Sequence, residues 1–203
     1  MAEPRLDPFD ITARARASYG PDGRLGLPRM ATWPIFPFVT DGLQTRTVED
    51  PVLPEPPRNG ESGEDDCWTC KQDDGDFLWT DDHWRLGMPA EPMALPTLVV
   101  HSRAHLDSAD LTDELAAEMG VVTVRAYKAL DGIPGVGRVH VNKWGDGGAH
   151  LHVILYARPE GMIQLKGMYL STWIDVLPPL PVETWAAIRA HVAGELAARS
   201  GTA

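Results

Sequence analysis

Gly147-Gly148-Ala149-His150-Leu151-His152-Val153-Ile154-Leu155-Tyr156-Ala157-Arg158-Pro159 is the stretch on which the reading of this chain turns. It reads as a β-strand. Apolar and β-branched residues dominate it, glycines precede it, and Pro159 closes it. Side chains on a strand alternate with a period of two, so His150 and His152 share a face, about 7 Å apart at Cα. Leu151, Val153 and Leu155 point the other way, as core residues would. Two histidines side by side behind a glycine loop are either polar residues on a solvated sheet face or a site.

The remainder of the chain narrows the choice. With 203 residues and 43% hydrophobic content, one sizeable core can be buried. A formal net charge of -11 argues against a nucleic-acid partner, because phosphate-backbone binding needs clustered cations. It leaves room for a small phosphorylated ligand held by backbone amides and one or two cations. No run of 18 apolar residues exists, so no membrane span is expected. The start, Met1-Ala2-Glu3-Pro4-Arg5-Leu6-Asp7-Pro8, has no apolar segment of the secretory kind. With only Cys67 and Cys70, no disulfide framework is available, and a reducing cytoplasm is the expected location.

Residues 1–65 are rich in proline and glycine and are expected to form an N-terminal extension. The apolar island Trp33-Pro34-Ile35-Phe36-Pro37-Phe38-Val39 is expected to pack, and residues 54–64 to be disordered. Asp65-Asp66-Cys67-Trp68-Thr69-Cys70-Lys71 then offers a redox couple, half of a zinc site, or two incidental thiols. Surrounding acids raise thiol pKa values and disfavour the redox reading. Zinc stabilises thiolates itself but needs about four ligands, so histidines further along must complete it.

Phe77 to Leu86 reads as a hairpin around Asp81-Asp82. Thr97-Leu98-Val99-Val100 is a strand, followed by His101 and His105. Leu111, Leu115, Met119, Val122 and Ala126 recur at helical spacing, predicting a helix over 109–130. Val136 to Asn142 alternates as a strand, and Lys143 to Gly148 turns it back into the opening stretch. Leu165 to Trp173 is apolar without a clear period. Val182 to Arg199 reads as a final helix with Trp185, Ile188, Val192 and Leu196 on one face.

In this order the segments resemble the histidine triad superfamily over residues 66–160, leaving 161–203 as a C-terminal extension. Asp66-Cys67-Trp68-Thr69-Cys70 looks like the zinc-bearing opening of many bacterial members. Thr97-Leu98-Val99-Val100 with Arg103-Ala104-His105-Leu106 is similar to the family's strand that ends in a histidine, with one inserted residue. His140-Val141-Asn142 and His150-Leu151-His152-Val153-Ile154 with Arg158 resemble the asparagine-bearing strand and the namesake motif. The resemblance implies an α+β fold: an antiparallel half-barrel sheet with a long helix across one side, here with a Pro-rich N-terminal arm and a C-terminal helix. It implies a homodimer. It implies structural zinc held by Cys67, Cys70, His105 and His150, with His101 as the alternative third ligand. It also implies His152 as a nucleophile that forms a nucleotidyl-histidine on a small phosphorylated nucleoside ligand. Asn142, Lys143, Gly147 and Gly148 are the candidate substrate contacts, and Arg158 a structural residue.

The sequence also departs from the family. The third motif histidine is Ile154, which has no hydrogen-bonding group. The loop before His150 is short. Near Met88, where many members carry an aspartate for the ribose hydroxyls, the closest acid is Glu91. Two functional classes remain: a nucleotide or phosphoramidate hydrolase or nucleotidyltransferase, and a zinc-stabilised binding module without chemistry.

Overall fold

A computed structural model describes residues 6–198. Residues 1–5 of the expected N-terminal extension, and Arg199 at the expected end of the last helix, lie outside the described residues. The chain divides into two compact units, one ending at Pro56 and one beginning at Pro57.

The first unit contains a helix the sequence reading passed over, α1 (Pro8–Ala17). Its start has a local cause: the Asp7 carboxylate accepts from Phe9 N at 3.0 Å, and Pro8 occupies the first turn, where no N–H is needed. Polar contacts tie the unit together. Arg16 donates to Val48 O at 2.8 Å and to Asp50 at 2.7 Å, and Arg24 donates to Thr45 O at 2.6 Å. Trp33 and Phe38 remain about half exposed, at 47% and 54%.

The second unit carries the α+β architecture. Its elements are β1 (Trp79–Thr80), β2 (Trp84–Gly87), β3 (Thr97–Ser102), α2 (Asp113–Asp131), β4 (Val136–Asn142), β5 (His152–Pro159), α3 (Tyr169–Ile174) and α4 (Val182–Ala197). The strands form one antiparallel sheet in the order β1-β2-β3-β5-β4. The β1–β2 turn is set by Asp81, whose carboxylate accepts from His83 N and Trp84 N at 3.0 and 2.8 Å. α2 begins at Asp113, later than its periodicity suggested. Asp107 and Asp110 close a separate capping turn, and Thr112 then caps the helix through Leu115 N at 3.2 Å. No described helix is long and apolar enough to cross a membrane.

The sheet has two unlike faces. One face buries Leu86, Leu98, Val100, Val153 and Leu155 against Val122, Ala126, Ala129 and Leu130 of α2. Trp185, Ile188, Val192 and Leu196 of α4 extend this same core, so the apolar stripe of the last helix is core packing. The indole of Trp185 keeps its N–H satisfied at Pro89 O, 2.9 Å away. On the other face, residues directly opposite one another form rows. Arg85, His101 and His152 make one row, and Gly87, Val99, Ile154 and Asn142 make the next. α3 and its neighbours cover the far end of this face, where Tyr156 joins Leu165, Leu170 and Trp173.

One ion pair joins the hairpin turn to α2: His83 Nδ1 lies 2.6 Å from Glu118. The pair raises the pKa of His83 and lowers that of Glu118. A raised histidine adds stability that is complete below its unfolded pKa of about 6.5 and is lost as pH rises through the folded value. The lowered carboxylate adds stability that is lost as pH falls through its own folded value. The contribution is therefore greatest at about pH 6. Thermal melts of wild type and Glu118→Gln should differ most there and converge by about pH 9. A difference that persists unchanged at high pH would show that the histidine charge plays no part.

Candidate functional site

The segment Pro57 to Gly63, expected to be disordered, is built into the site. Asn59 N donates to Gly147 O at 3.3 Å, and Ala149 N donates to Asn59 O at 2.9 Å, joining this segment to the glycine loop as a short parallel bridge. The Asn59 side chain then grips the Cys-x-x-Cys turn. Its amide donates to Asp66 O at 2.6 Å, and its carbonyl accepts from Trp68 N at 3.0 Å. These contacts place Cys67 and Cys70 beside the entrance of β5.

Cys67, Cys70, His105 and His150 converge, with one ligand atom from each lying within 4.8 Å of all the others. His150 Nδ1 is 3.4 Å from both sulfurs, and His105 Nδ1 is 3.3 Å from Cys70 Sγ. A tetrahedral zinc with ordinary Zn–S and Zn–N bonds sets sulfur and nitrogen about 3.5 Å apart. The remaining ring nitrogens are oriented from behind. His150 Nε2–H donates to Ser102 O at 2.8 Å, and His105 Nε2–H donates to Gly60 O at 2.9 Å. Both rings thus present an unprotonated Nδ1 to the thiols, as metal-bound histidines held by backbone carbonyls do. Burial pushes the Cys70 thiol up to about 12, with the neighbouring Cys67 adding to it. A pair with such a thiol is a poor redox couple, and a bound cation would hold it as thiolate. The donor set fits a closed, structural zinc ion.

His101 is outside this cluster. It contacts His150 only ring to ring, at 6.2 Å between centroids, and its Nδ1 is buried with no hydrogen-bond partner. His105 therefore takes the third position. The strand boundary also differs from expectation. β5 begins at His152, and His150 lies in the bend before it. The bend frees the His150 ring to turn into the cysteines.

His152 is half-buried on the sheet face away from α2. Its Nδ1–H donates to the carbonyl oxygen of His150 at 2.8 Å, and Nε2 has no partner among the described residues. The proton is thereby placed on Nδ1, leaving a lone pair on Nε2. Asn142 stands diagonally across from His152, one pair along through Ile154. Neither Gly147 nor Gly148 adopts a positive φ. What they provide is space: a Cβ on Gly147 would meet nothing within 4 Å, and the N–H groups of both residues find no acceptor among the described residues.

Two cations flank that loop. Lys143 Nζ lies 3.8 Å from Asp107, and Arg58 Nη1 donates to Asp107 at 2.9 Å and to Gly145 O at 3.0 Å. Arg58 was hidden from the sequence reading by its proline-rich surroundings. Arg158 donates to Pro159 O and Met162 O at 3.0 and 3.2 Å, bracing the end of β5.

A cavity of about 430 Å³ opens on the same sheet face. Phe77, Gly87 and Val99 form its apolar side, His101 lines it beside Gly87, and Gln72 and Asp76 make its polar rim. Glu91 lies elsewhere, in a cleft with Val182, Trp185 and Arg189. Asp76 is thus the acid at this cavity. Burial pushes the pKa of His101 down to about 3, with His150 and His152 adding to the effect, so its ring is neutral at physiological pH. A second, apolar cavity of about 590 Å³ lies between the β4–β5 end and α4, lined by Ile133, Val136, Leu180 and Ile188.

Among family models and curated proteins, none matches this sequence. Solved structures do. A histidine triad protein from Marinobacter aquaeolei VT8 aligns with a TM-score of 0.50 at 16% identity, over 61% of this chain and 90% of its own. A histidine triad protein from Sinorhizobium meliloti 1021 aligns at 0.49 and 19% identity, over 59% and 87%. A zinc-bound histidine triad family protein from Mycobacterium smegmatis aligns at 0.41 and 19% identity, over 61% and 87%. The second unit of this chain has the histidine triad fold.

Protein purified without added metal should contain about one zinc per chain, and Cys67→Ser should lose it. Gly60→Ala is a second test. Gly60 has φ of 80°, and a Cβ there would stand 3.0 Å from His105 Cε1 and 3.1 Å from Cys67 Cβ. The substitution should weaken metal binding by about 10–100-fold in chelator competition. A wild type that is folded and metal-free would contradict the assignment.

Proposed function

We propose that this protein is a nucleotide or phosphoramidate hydrolase, or a nucleotidyltransferase, that works through a nucleotidyl-histidine on His152. The observation that carries the reading is the 2.8 Å bond from His152 Nδ1–H to the His150 carbonyl, which leaves Nε2 unprotonated on an open sheet face. The lone pair of Nε2 attacks the α-phosphorus. An N–P bond forms as the bond to the leaving amine or phosphate breaks with its electron pair, a leaving amine taking up a proton from solvent. Water, or another acceptor, then attacks the same phosphorus. The N–P bond breaks, Nε2 recovers its lone pair, and the acceptor's proton passes to solvent.

The surrounding groups suit this substrate class. The 430 Å³ cavity falls within the range of small-molecule sites and is the place proposed for the nucleoside, with Oδ1 of Asp76, whose Oδ2 accepts from Asp73 N at 2.9 Å, proposed for the ribose hydroxyls. Asn142, Lys143 and the amides of Gly147 and Gly148 are the proposed phosphate contacts, joined by Arg58. Zinc at Cys67, Cys70, His105 and His150 supplies fold rather than chemistry, fixing the carbonyl that orients His152. The reading includes a homodimer. β4 ends the sheet, and Val121 and Val124 of α2 are about half exposed, at 51% and 52%, giving an apolar surface for a second copy.

The alternative, a binding module without chemistry, draws on Ile154, which offers no hydrogen bond beside His152. Hydrolysis of a panel of nucleoside phosphoramidates and dinucleoside polyphosphates separates the two. Wild type should turn over at least one class, and His152→Ala should lower the rate by about 10³-fold or more. Full activity in His152→Ala would remove the nucleophile assignment. Inactivity of folded, zinc-loaded wild type on the whole panel would favour the binding module.

A further inference from the structure

Resting on the reading of His152 as nucleophile, we propose that His101 is a second catalytic residue, donating a hydrogen bond from Nε2–H to a non-bridging oxygen of the phosphoryl group that His152 attacks. The placement is specific. His101 of β3 lies directly opposite His152 of β5, and Arg85 of β2 lies opposite His101 on its other side. Side chains opposite one another in an antiparallel pair stand about 4.5–5.5 Å apart at Cβ, on one face. Edge-on contacts with Phe77 at 5.7 Å and His150 at 6.2 Å fix the plane of the His101 ring.

The two nitrogens of that ring have different surroundings. Nδ1 is buried with no partner. A buried N–H without an acceptor is among the rarer and costlier arrangements, so the neutral ring keeps its proton on Nε2. Nε2 lies 3.7 Å from the point a Cβ on Gly87 would occupy, and Gly87 and His101 line the cavity together. The missing side chain at position 87 leaves this N–H open to the cavity. No protonated imidazole is required, because a neutral ring carries one N–H.

The location also selects the oxygen. His101 stands between the proposed nucleoside cavity and His152. The leaving group departs opposite Nε2 of His152, in line with the forming N–P bond. The oxygens within reach of His101 are those around the phosphorus, where charge is spread during transfer. A donor aimed there stabilises the transition state more than the bound substrate. Ile154 cannot serve in this way. The chain supplies the donor from β3, one strand over on the same face, in place of a third histidine on β5.

Steady-state kinetics of His101→Phe test the proposal, since phenylalanine keeps the ring contacts and removes both nitrogens. kcat should fall about 10²–10³-fold with KM changed little. His101→Gln, which restores an N–H, should recover at least about tenfold of that loss. Gly87→Ala, whose methyl group fits without a clash but covers Nε2, should lower kcat in the same sense. Wild type should also discriminate between the two diastereomers of an α-phosphorothioate substrate, and His101→Phe should lose that preference. A folded, zinc-loaded His101→Phe with kcat within about twofold of wild type and the same diastereomer preference would overturn the proposal. With His152→Ala inactive alongside, the nucleotidyl-histidine reading would survive that result. A wild type inactive on every substrate removes both. If His101→Phe does not fold, Gly87→Ala and His101→Gln decide.

Discussion

Two thiols and two imidazoles sit within 4.8 Å of one another, with both ring nitrogens that face the sulfurs unprotonated. Without a cation that arrangement packs lone pairs against buried sulfur, and burial, with Cys67 beside it, pushes the Cys70 thiol up to about 12. A divalent metal reverses this, converting the cluster into a cross-link. The cross-link ties the Cys-x-x-Cys turn, which belongs to no strand, to two segments that β3–β5 pairing brings together: the one after β3 that carries His105, and the bend before β5.

The site follows from that cross-link. Holding the His150 ring also holds its carbonyl oxygen, and that oxygen receives the Nδ1–H of His152. A structural metal thereby sets the tautomer of a residue it does not touch. Arg58 and Asn59 complete the connection, pinning the glycine loop to the metal turn. The sheet separates the two duties of the fold. The face against α2 and α4 supplies the core, and the opposite face carries Arg85, His101 and His152 in one row.

Much of this is legible in the sequence because periodicity encodes it. The 3.6-residue spacing of Leu115, Met119, Val122 and Ala126 and the stripe from Trp185 to Leu196 each name a face that the structure buries, whereas the alternation in Val136 to Asn142 marks the strand but buries only Val139 and leaves Val141 exposed. Residues whose roles come from backbone contacts leave no such trace. Arg58, Asn59 and Gly60 lie in a segment whose composition resembles disorder, yet they reach distant partners in Gly145, Ala149 and His105. α1 depends on Asp7 and Pro8, two local signals obscured by the prolines around them. Glu91 is near Met88 in sequence, but the chain turns it into another cleft, and Asp76 arrives from before the hairpin. His101 resembles a spare zinc ligand in the sequence, because residue order does not encode which ring nitrogen lacks a partner.

The central claim is that the proton on His152 Nδ1 makes Nε2 a nucleophile toward phosphorus. Rapid quenching of wild type with a turned-over nucleoside phosphoramidate, followed by mass spectrometry of the intact chain and its peptides, tests it most directly. The account predicts an acid-labile adduct with the mass of one nucleoside monophosphate, mapping to His152. Turnover with no adduct at any time, or with the adduct on another residue, would contradict it.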